Sequence, residues 1–273
     1  MGGTSESYPG DTRTEMPAEA MLTSVTNCLD AAHFNPARWV GYPAMYAGDL
    51  SYEESMAYGI EALANVIAEE NAAGNLIMLL GYSQSAVIMR RMLAMCKNGE
   101  MGDPDYLAAM IVGCALVADP VRPVGMAVGH DPGGYGLAGT EPYWDAVPLW
   151  EAAADRDPIC AAPYNSFLRT AADFTGFFGF TAKALNRWMT DAGQKIRNKE
   201  WQNANLDWGQ FWLIGMRVNQ AIDQLGGYLP QSPLNPGGGR HTCYNKELVP
   251  GSPFTFCELL AVQMNTRARK LLT

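Results

Sequence analysis

The sequence predicts an α/β fold in which a mainly parallel sheet is flanked by helices. Two apolar runs, at 76–80 and 108–117, are continuous rather than alternating, as is typical of parallel strands buried on both faces. Around them lie segments whose apolar residues recur at helical spacing. Strands that alternate with helices in this way indicate a parallel sheet with helices packed on it.

The individual elements follow from apolar spacing and from capping signals. A long helix is predicted over 51–73, since Ser51 can cap its start and Glu53 and Glu54 suit the positive end of its dipole. The other predicted elements are, in chain order, a helix over 18–32, strands over 39–44 and 76–80, a helix over 83–95, strands over 108–117 and 147–150, and a final helix over 253–272.

Residues 164–228 interrupt the alternation of strands and helices. Their pattern is helical and rich in aromatic residues, so we expect a helical insertion, lid-like or linker-like, within a single domain over 1–273. Most of the rings are expected to form the core of the insertion, and a few to line an apolar groove. The aromatic residues are Phe167, Phe174, Phe177, Phe178, Phe180, Trp188, Trp201, Trp208, Phe211 and Trp212.

Composition excludes several classes of partner. The formal net charge is −9 and no cluster of basic residues stands out, which argues against binding to nucleic acid. The apolar stretches are far shorter than the roughly 18 residues that a transmembrane helix needs. No signal peptide opens the chain, so we expect a protein that is made in the cytoplasm without a secretion signal.

The cysteines do not form a metal-binding pattern. Six are spread along the chain without a C-x-x-C pair, and three histidines are too few for a Cys/His zinc site. We expect buried free thiols; one disulfide involving Cys160 or Cys243 is the alternative. The sequence calls for neither a metal nor an organic cofactor.

The most informative motif runs from Gly81 to Ser85 and directly follows a predicted strand. A strand, a sharp turn at a serine and a helix form a nucleophile elbow, which leaves Oγ of Ser83 exposed at the carboxyl end of the strand. Small residues at Gly81 and Ser85 let the strand and helix backbones approach closely. Ser85 stands where the motif usually has glycine, so we expect a slightly shifted elbow.

A nucleophilic serine needs a base and an acid that orients the base. His33 lies before the elbow, and His130 lies in a glycine-rich loop. The order serine, acid, histidine of α/β hydrolases selects His241. Asp155 and Asp157, between the last predicted strand and His241, are both candidates for the acid, and spacing does not separate them from each other or from ordinary surface carboxylates.

An oxyanion hole needs two hydrogen-bond donors. One is the backbone N–H of the residue after the nucleophile, here Gln84. The glycine-rich segment Gly2-Gly3-Thr4 has the character of the loop that supplies the second donor, although a frayed N-terminus has the same composition.

Several motifs together resemble the cutinase-like serine esterases of the α/β-hydrolase superfamily. They are the Gly-Tyr-Ser-Gln elbow, the stretch Asp157-Pro-Ile-Cys and the late His241-Thr-Cys-Tyr. The segments 39–44 and 129–136 and the helical insertion before the histidine loop are more closely similar to the lysin B enzymes of mycobacteriophages. The likeness covers most of the chain.

This resemblance implies a role for each candidate residue. Ser83 corresponds to the nucleophile, Asp157 to the acid and His241 to the base. Gly3-Thr4-Ser5-Glu6 looks like the oxyanion segment of cutinases, so that Thr4 would supply the second N–H beside Gln84. The implied fold is a cutinase-like α/β hydrolase with a helical insertion before the catalytic histidine loop.

The resemblance also implies a substrate. It is a lipid ester, the mycolyl-arabinogalactan of a host cell envelope, cut at the outer mycolate layer during phage release. Two alternatives stay open: a general cutinase-like lipase or esterase, and a non-catalytic hydrolase-fold protein that binds the envelope or serves in a virion. In this family the oxyanion segment follows a first, central strand, so we expect a longer protein with that strand upstream of Met1.

Overall fold

A computed structural model describes residues 1–46, 48–141, 143–176, 182–203 and 211–272. In these residues a parallel sheet is enclosed by helices, which confirms the predicted α/β class. The elements are, in chain order, α1 (Thr23–Thr26), α2 (Tyr52–Ala72), β1 (Ile77–Tyr82), α3 (Gln84–Lys97), α4 (Pro104–Met110), β2 (Ile111–Val117), β3 (Leu149–Ala152), α5 (Phe167–Thr175), α6 (Ala182–Asn198), α7 (Phe211–Tyr228), a 3-10 helix (Arg240–Thr242) and α8 (Phe256–Leu272).

The sheet has the order β1-β2-β3, and both pairs of strands are parallel. Every residue of β2 is buried. Because successive side chains of a strand point to opposite faces, β2 contributes to two cores. Cys114 and Leu116 belong to the core that contains residues of α2 and α3, whereas Ala115 and Val117 belong to the core that contains residues of α8. The middle strand therefore holds the two helical layers together.

The long helix α2 begins with the predicted cap. Oγ of Ser51 accepts a hydrogen bond from the Glu54 amide at 3.3 Å, and the Glu54 carboxylate accepts one from the Ser51 amide at 3.0 Å. This reciprocal pair satisfies two amide groups that the first turn leaves without helical acceptors. The prediction of a helix over 51–73 is confirmed.

The predicted helix over 18–32 is wrong in length, because only α1 is helical there. Most of the segment consists of tight turns with i to i+3 hydrogen bonds, such as Val25 N–H to Leu22 O at 3.0 Å. The hydroxyl of Thr23 donates to Pro17 O at 2.6 Å. Side chains that bond to nearby backbone in this way compete with helix formation.

The predicted strand over 39–44 is also wrong. The isolated bridge between Glu15 and Arg38 is next to this segment, which is otherwise irregular. Its backbone groups bond to the N-terminal loop instead: Trp39 N–H donates to Thr14 O at 2.7 Å, and Tyr42 N–H donates to Ser7 Oγ at 2.9 Å. The segment thus anchors the loop that contains the first residues.

The remaining elements match their predictions with shifted ends. The predicted strand over 108–117 begins only at Ile111, because Asp103 caps α4 and Pro104 occupies its first turn. Ala108, Ala109 and Met110, which are good helix formers, complete α4. β3 lies two residues later than predicted, and α8 begins three residues later.

The segment 164–228 contains three helices in its described part, α5, α6 and α7. The rings of Phe174 and Trp201 pack together with their centroids 5.9 Å apart. Of the other aromatic residues named above, Phe177, Phe178, Phe180 and Trp208 lie outside the described residues. The division of the chain into one domain with an insertion stays a prediction.

All six cysteines lie in the described residues and are free thiols. Cys28 is exposed and Cys243 half-buried, so the expectation of buried thiols holds for the other four. In the described ranges, no helix combines the length and apolarity that crossing a bilayer requires.

A group of buried charges joins α3 to the sheet. Arg90 donates through Nε to Asp119 at 2.5 Å and through Nη2 to Glu151 on β3. All three side chains are shielded from solvent. Burial and the negative charge of Asp119 outweigh the attraction of Arg90 and raise the pKa of Glu151 to about 8.

Replacing Glu151 by Gln should flatten the pH dependence of stability. The pKa of Glu151 is raised in the folded protein from its usual value of 4.5 to about 8. Its contribution to the free energy of unfolding is therefore complete below about pH 4.5 and is lost as the pH rises toward 8. Glu151→Gln removes the titration and keeps an oxygen for Arg90. Between about pH 6 and pH 9, we expect the melting temperature of the wild type to fall several degrees more than that of the variant. Parallel curves in differential scanning fluorimetry would contradict this assignment.

Candidate active site

Ser83 sits in the sharp turn between β1 and α3. Its φ is 55° and its ψ is −118°, a conformation that residues other than glycine rarely adopt. The turn is held by a hydrogen bond from Ser83 N–H to Val117 O at 2.9 Å. A Cβ on Gly81 would lie 3.0 Å from Ser85 O and 3.1 Å from Cα of Ala86, so this position needs glycine. The strand and helix can approach closely for that reason.

The structure brings three of the predicted side chains together. Nε2 of His241 lies 2.8 Å from Oγ of Ser83, and Nδ1 of His241 lies 3.0 Å from Oδ2 of Asp157. Because the carboxylate can only accept, Nδ1 carries a proton and Nε2 is free to accept the serine hydroxyl proton. Such an arrangement allows a histidine to act as a general base toward a serine.

Asp157 is fully buried and surrounded by hydrogen-bond donors. Besides His241, the hydroxyl of Tyr244 donates to it at 2.6 Å and the amide of Ile159 at 3.0 Å. Burial alone would favour the neutral acid, but the electrostatic attraction of His241 and these hydrogen bonds outweigh it and lower the pKa of Asp157. Asp157 is therefore an anion that faces the imidazole.

His241 is fixed from several sides. It belongs to the short 3-10 helix, which Gly239 precedes with a φ of 73°. The ring of Tyr82 stacks on the imidazole at 5.3 Å, and its hydroxyl donates to the His241 carbonyl at 2.7 Å. The ring of Tyr228 on α7 lies 5.5 Å away on a tilted plane. The helical segment thus reaches the candidate active site through Tyr228.

The other candidate acid and histidines lie elsewhere. Asp155 pairs with His130, with 2.9 Å between Oδ1 and Nε2, on a partly exposed surface. His33 lies 3.9 Å from Asp30. Neither pair includes Ser83.

The two predicted oxyanion residues lie side by side. Oγ1 of Thr4 donates to the side-chain oxygen of Gln84 at 3.0 Å. Gln84 is the first residue of α3, so its backbone N–H is one of those that a helix leaves without an internal acceptor. Glu6 holds the N-terminal loop by accepting from the Gly3 amide and the Met21 amide, each at 2.8 Å. The loop therefore sits against the elbow.

Ser85 has a specific set of contacts at the position where the motif usually has glycine. Its Oγ accepts a hydrogen bond from Tyr82 N–H at 2.9 Å and donates to Met1 O at 2.6 Å. The amino group of Met1 in turn donates to Leu80 O on β1 at 2.9 Å. The serine hydroxyl thus links the elbow to the start of the N-terminal loop.

The site also contains three tyrosines that the sequence motifs did not identify, Tyr82, Tyr228 and Tyr244. Tyr82 lies inside the elbow motif and Tyr244 lies three residues after His241, so proximity in sequence to a candidate residue was a usable signal. Tyr228 lies thirteen residues before His241 at the end of α7, and no local pattern marked it.

The arrangement of parallel strands and flanking helices is that of the cutinase-like α/β-hydrolase fold. Residues 31–134 match the model of the PE-PPE domain. This region extends from the segment before α2 to the loop after β2 and includes Ser83, whereas Asp157 and His241 lie beyond it.

Two curated proteins and one solved structure illustrate the similarity. Over 149 residues the chain is 30% identical to Esterase PE16 of Mycobacterium tuberculosis, covering 49% of this chain and 26% of that protein. Over 135 residues it is 30% identical to the uncharacterized PPE family protein PPE28 of the same organism, covering 49% of this chain and 20% of that protein. The chain thus spans about a quarter or less of these relatives. The crystal structure of lysin B from Mycobacteriophage D29 superposes with a TM-score of 0.51 at 14% identity, over 90% of this chain and 95% of that one.

Replacing Ser85 by Ala should destabilise the elbow. The buried amide of Tyr82 would lose its acceptor, which typically costs about 1–3 kcal/mol. We expect that loss in the free energy of unfolding, measured by urea denaturation. Ser252→Ala is the control, since Oγ of Ser252 accepts a comparable amide bond from Phe254 at 3.2 Å in an exposed turn. Equal losses in the two variants would argue against a structural role of Ser85.

Proposed function

We propose that this chain is a serine esterase that hydrolyses lipid esters, and that its natural substrate is the ester between mycolic acids and arabinogalactan, cut during phage-mediated host lysis. The observation that carries the esterase proposal is the chain of contacts from Ser83 through His241 to Asp157, with heavy-atom distances of 2.8 and 3.0 Å. Distances of this size are those that proton transfer requires.

The proposed reaction has two halves. His241 takes the hydroxyl proton as Oγ of Ser83 attacks the ester carbonyl, and the imidazolium then gives that proton to the departing alcohol. Water, activated by His241, hydrolyses the acyl-enzyme and regenerates the serine. Asp157 stabilises the imidazolium in both halves. The backbone N–H groups of Gln84 and Thr4 are proposed to bind the oxyanion, in line with their position at the elbow.

An apolar surface next to the site supports a lipid substrate. On the last turns of α7 and just beyond, Val218, Ile222, Leu225 and Leu229 share one helical face and are 43%, 62%, 46% and 55% exposed. Tyr228, which contacts His241, lies beside this face. Exposed apolar side chains grouped at helical spacing are typical of a surface that meets apolar material.

The assignment to mycolyl-arabinogalactan rests on two supports. The segments 39–44 and 129–136 and the helical insertion before the histidine loop resemble those of lysin B enzymes. The fold of the lysin B of phage D29 also extends over 90% of this chain. In this proposal the protein reaches the outer mycolate layer after other lysis proteins have opened the envelope.

A general cutinase-like esterase or lipase is the second candidate. The 30% identity to a mycobacterial protein named as an esterase favours it, because that similarity does not depend on phage lysis. Short soluble esters would be cleaved in either case. A non-catalytic envelope-binding or virion protein is a weaker candidate, since such a protein has no need for the close contacts around His241.

The first test separates an enzyme from a binding protein. We expect a fluorophosphonate probe to label the wild type and to label neither Ser83→Ala nor His241→Ala at a rate above about a thousandth of it. Release of free mycolic acids from purified mycolyl-arabinogalactan then distinguishes a mycolyl-arabinogalactan esterase from a general cutinase-like esterase. Absence of labelling in the wild type would refute the esterase, whereas labelling without mycolate release would leave the general esterase.

A second test concerns the apolar face of α7. In Ile222→Ser/Leu225→Ser, we expect hydrolysis of an emulsified triglyceride to fall about tenfold, because the apolar area available to the lipid is smaller. The value of kcat/KM for soluble p-nitrophenyl acetate should stay within about twofold. Val124→Ser/Leu248→Ser is the matched control, since these residues are 49% and 54% exposed outside the helical segment. An equal loss in the control pair would contradict a specific role of α7.

A further inference from the structure

The Tyr244 hydroxyl lies between the two loops that hold Asp157 and His241. It donates to Oδ2 of Asp157 at 2.6 Å, and it accepts from the Ala154 amide at 3.2 Å. Sγ of Cys160 lies 3.1 Å from the same oxygen. The ring is fully buried and packs edge-on against Phe256 of α8 at 5.4 Å. Tyr244 therefore ties both loops to the helical layer behind them.

Hydrogen-bond capacity fixes the direction of each contact. A tyrosine hydroxyl has one proton and two acceptor positions, and an ionised carboxylate can only accept. The proton of Tyr244 must therefore point at Asp157. One acceptor position receives the Ala154 amide, and the other faces Sγ of Cys160, whose thiol also lies within donor distance of Oδ2 of Asp157 at 3.5 Å. The hydroxyl of Tyr244 thus joins Asp157 to the backbone of Ala154.

We propose that Tyr244 is a positioning residue, which keeps Asp157 ionised and aimed at Nδ1 of His241 while the serine is activated. Its hydroxyl reaches the same carboxylate oxygen that His241 contacts, and its ring is anchored in the core. This role deepens the proposed serine esterase and rests on it. It assigns a function to the tyrosine three residues after the base.

The other titratable groups that face Asp157 are uncharged at neutral pH. Burial raises the pKa of Cys160, Tyr82, Tyr228 and Tyr244, and it raises that of Cys243 to about 12. Of the described groups that contact Asp157, the imidazole of His241 is the one that also contacts Ser83. Any change in the donors to Asp157 is consequently felt by the imidazole.

The test is Tyr244→Phe, which keeps the ring and removes the hydroxyl. We expect kcat/KM for p-nitrophenyl butyrate to fall about 10- to 100-fold, since the lost hydrogen bond was made to a charged group. The acid limb of the pH dependence of kcat/KM should move to higher pH. Without the hydrogen bond from Tyr244, the negative charge of Asp157 is less stabilised by other donors. The carboxylate therefore stabilises the protonated imidazole of His241 more strongly.

Tyr82→Phe is the matched control. Its hydroxyl is also buried beside His241, but it donates to the backbone carbonyl at 2.7 Å and not to the carboxylate. Thermal stability should fall in both variants, and only Tyr244→Phe should move the acid limb.

Fluorotyrosine at position 244 is a stronger hydrogen-bond donor of nearly the same shape. It should move the acid limb in the opposite direction, and this test remains valid if Tyr244→Phe fails to fold.

The outcomes separate the two proposals. An acid limb that coincides in the wild type, Tyr244→Phe and the fluorotyrosine protein would overturn the positioning role, as would an equal shift in Tyr82→Phe. A wild type without esterase activity would defeat the proposed function instead. In that case, the pH titration of the imidazole of His241 by NMR still tests Tyr244, because its midpoint should rise in Tyr244→Phe without any substrate.

Discussion

The carboxylate of Asp157 has no access to solvent. The arrangement of the site depends on the hydrogen-bond donors that stabilise its negative charge. A buried anion is costly unless donors surround it. Here the donors come from its own loop through the Ile159 amide and from the histidine loop through His241 and Tyr244. The two loops can hold each other in place because each carries one part of the same hydrogen-bond set. The imidazole then points its second nitrogen at Ser83.

The sheet supplies the fixed half of the site. The elbow needs a close approach of β1 and α3, which the absence of a side chain at Gly81 allows. Residue Val117 at the end of β2 accepts the amide of Ser83, so the serine is positioned by the middle strand as well as by its own. Since β2 contributes side chains to both cores, the position of Ser83 is tied to the packing of both.

Local signals in the sequence were enough for the helices and strands that carry their own caps or turns. The capping box of α2 and the glycine of the elbow involve residues within a few positions of one another. The predictions for 18–32 and 39–44 are wrong because distant backbone groups or side chains take the backbone hydrogen bonds of these segments. Asp155 and Asp157 could not be separated by spacing. Arg156 between them has a φ of 62°, and the two carboxylates face different histidines.

The serine and histidine that touch at 2.8 Å are 158 residues apart in the chain. Contacts between residues so far apart in the chain form only after the intervening segments have folded. They are among the first to be lost when one of these segments unfolds locally. The histidine rests on a single turn of 3-10 helix, while the serine rests on the sheet. The proposed esterase activity should therefore disappear at a lower denaturant concentration than the sheet unfolds, so that an activity assay would measure the integrity of one short loop.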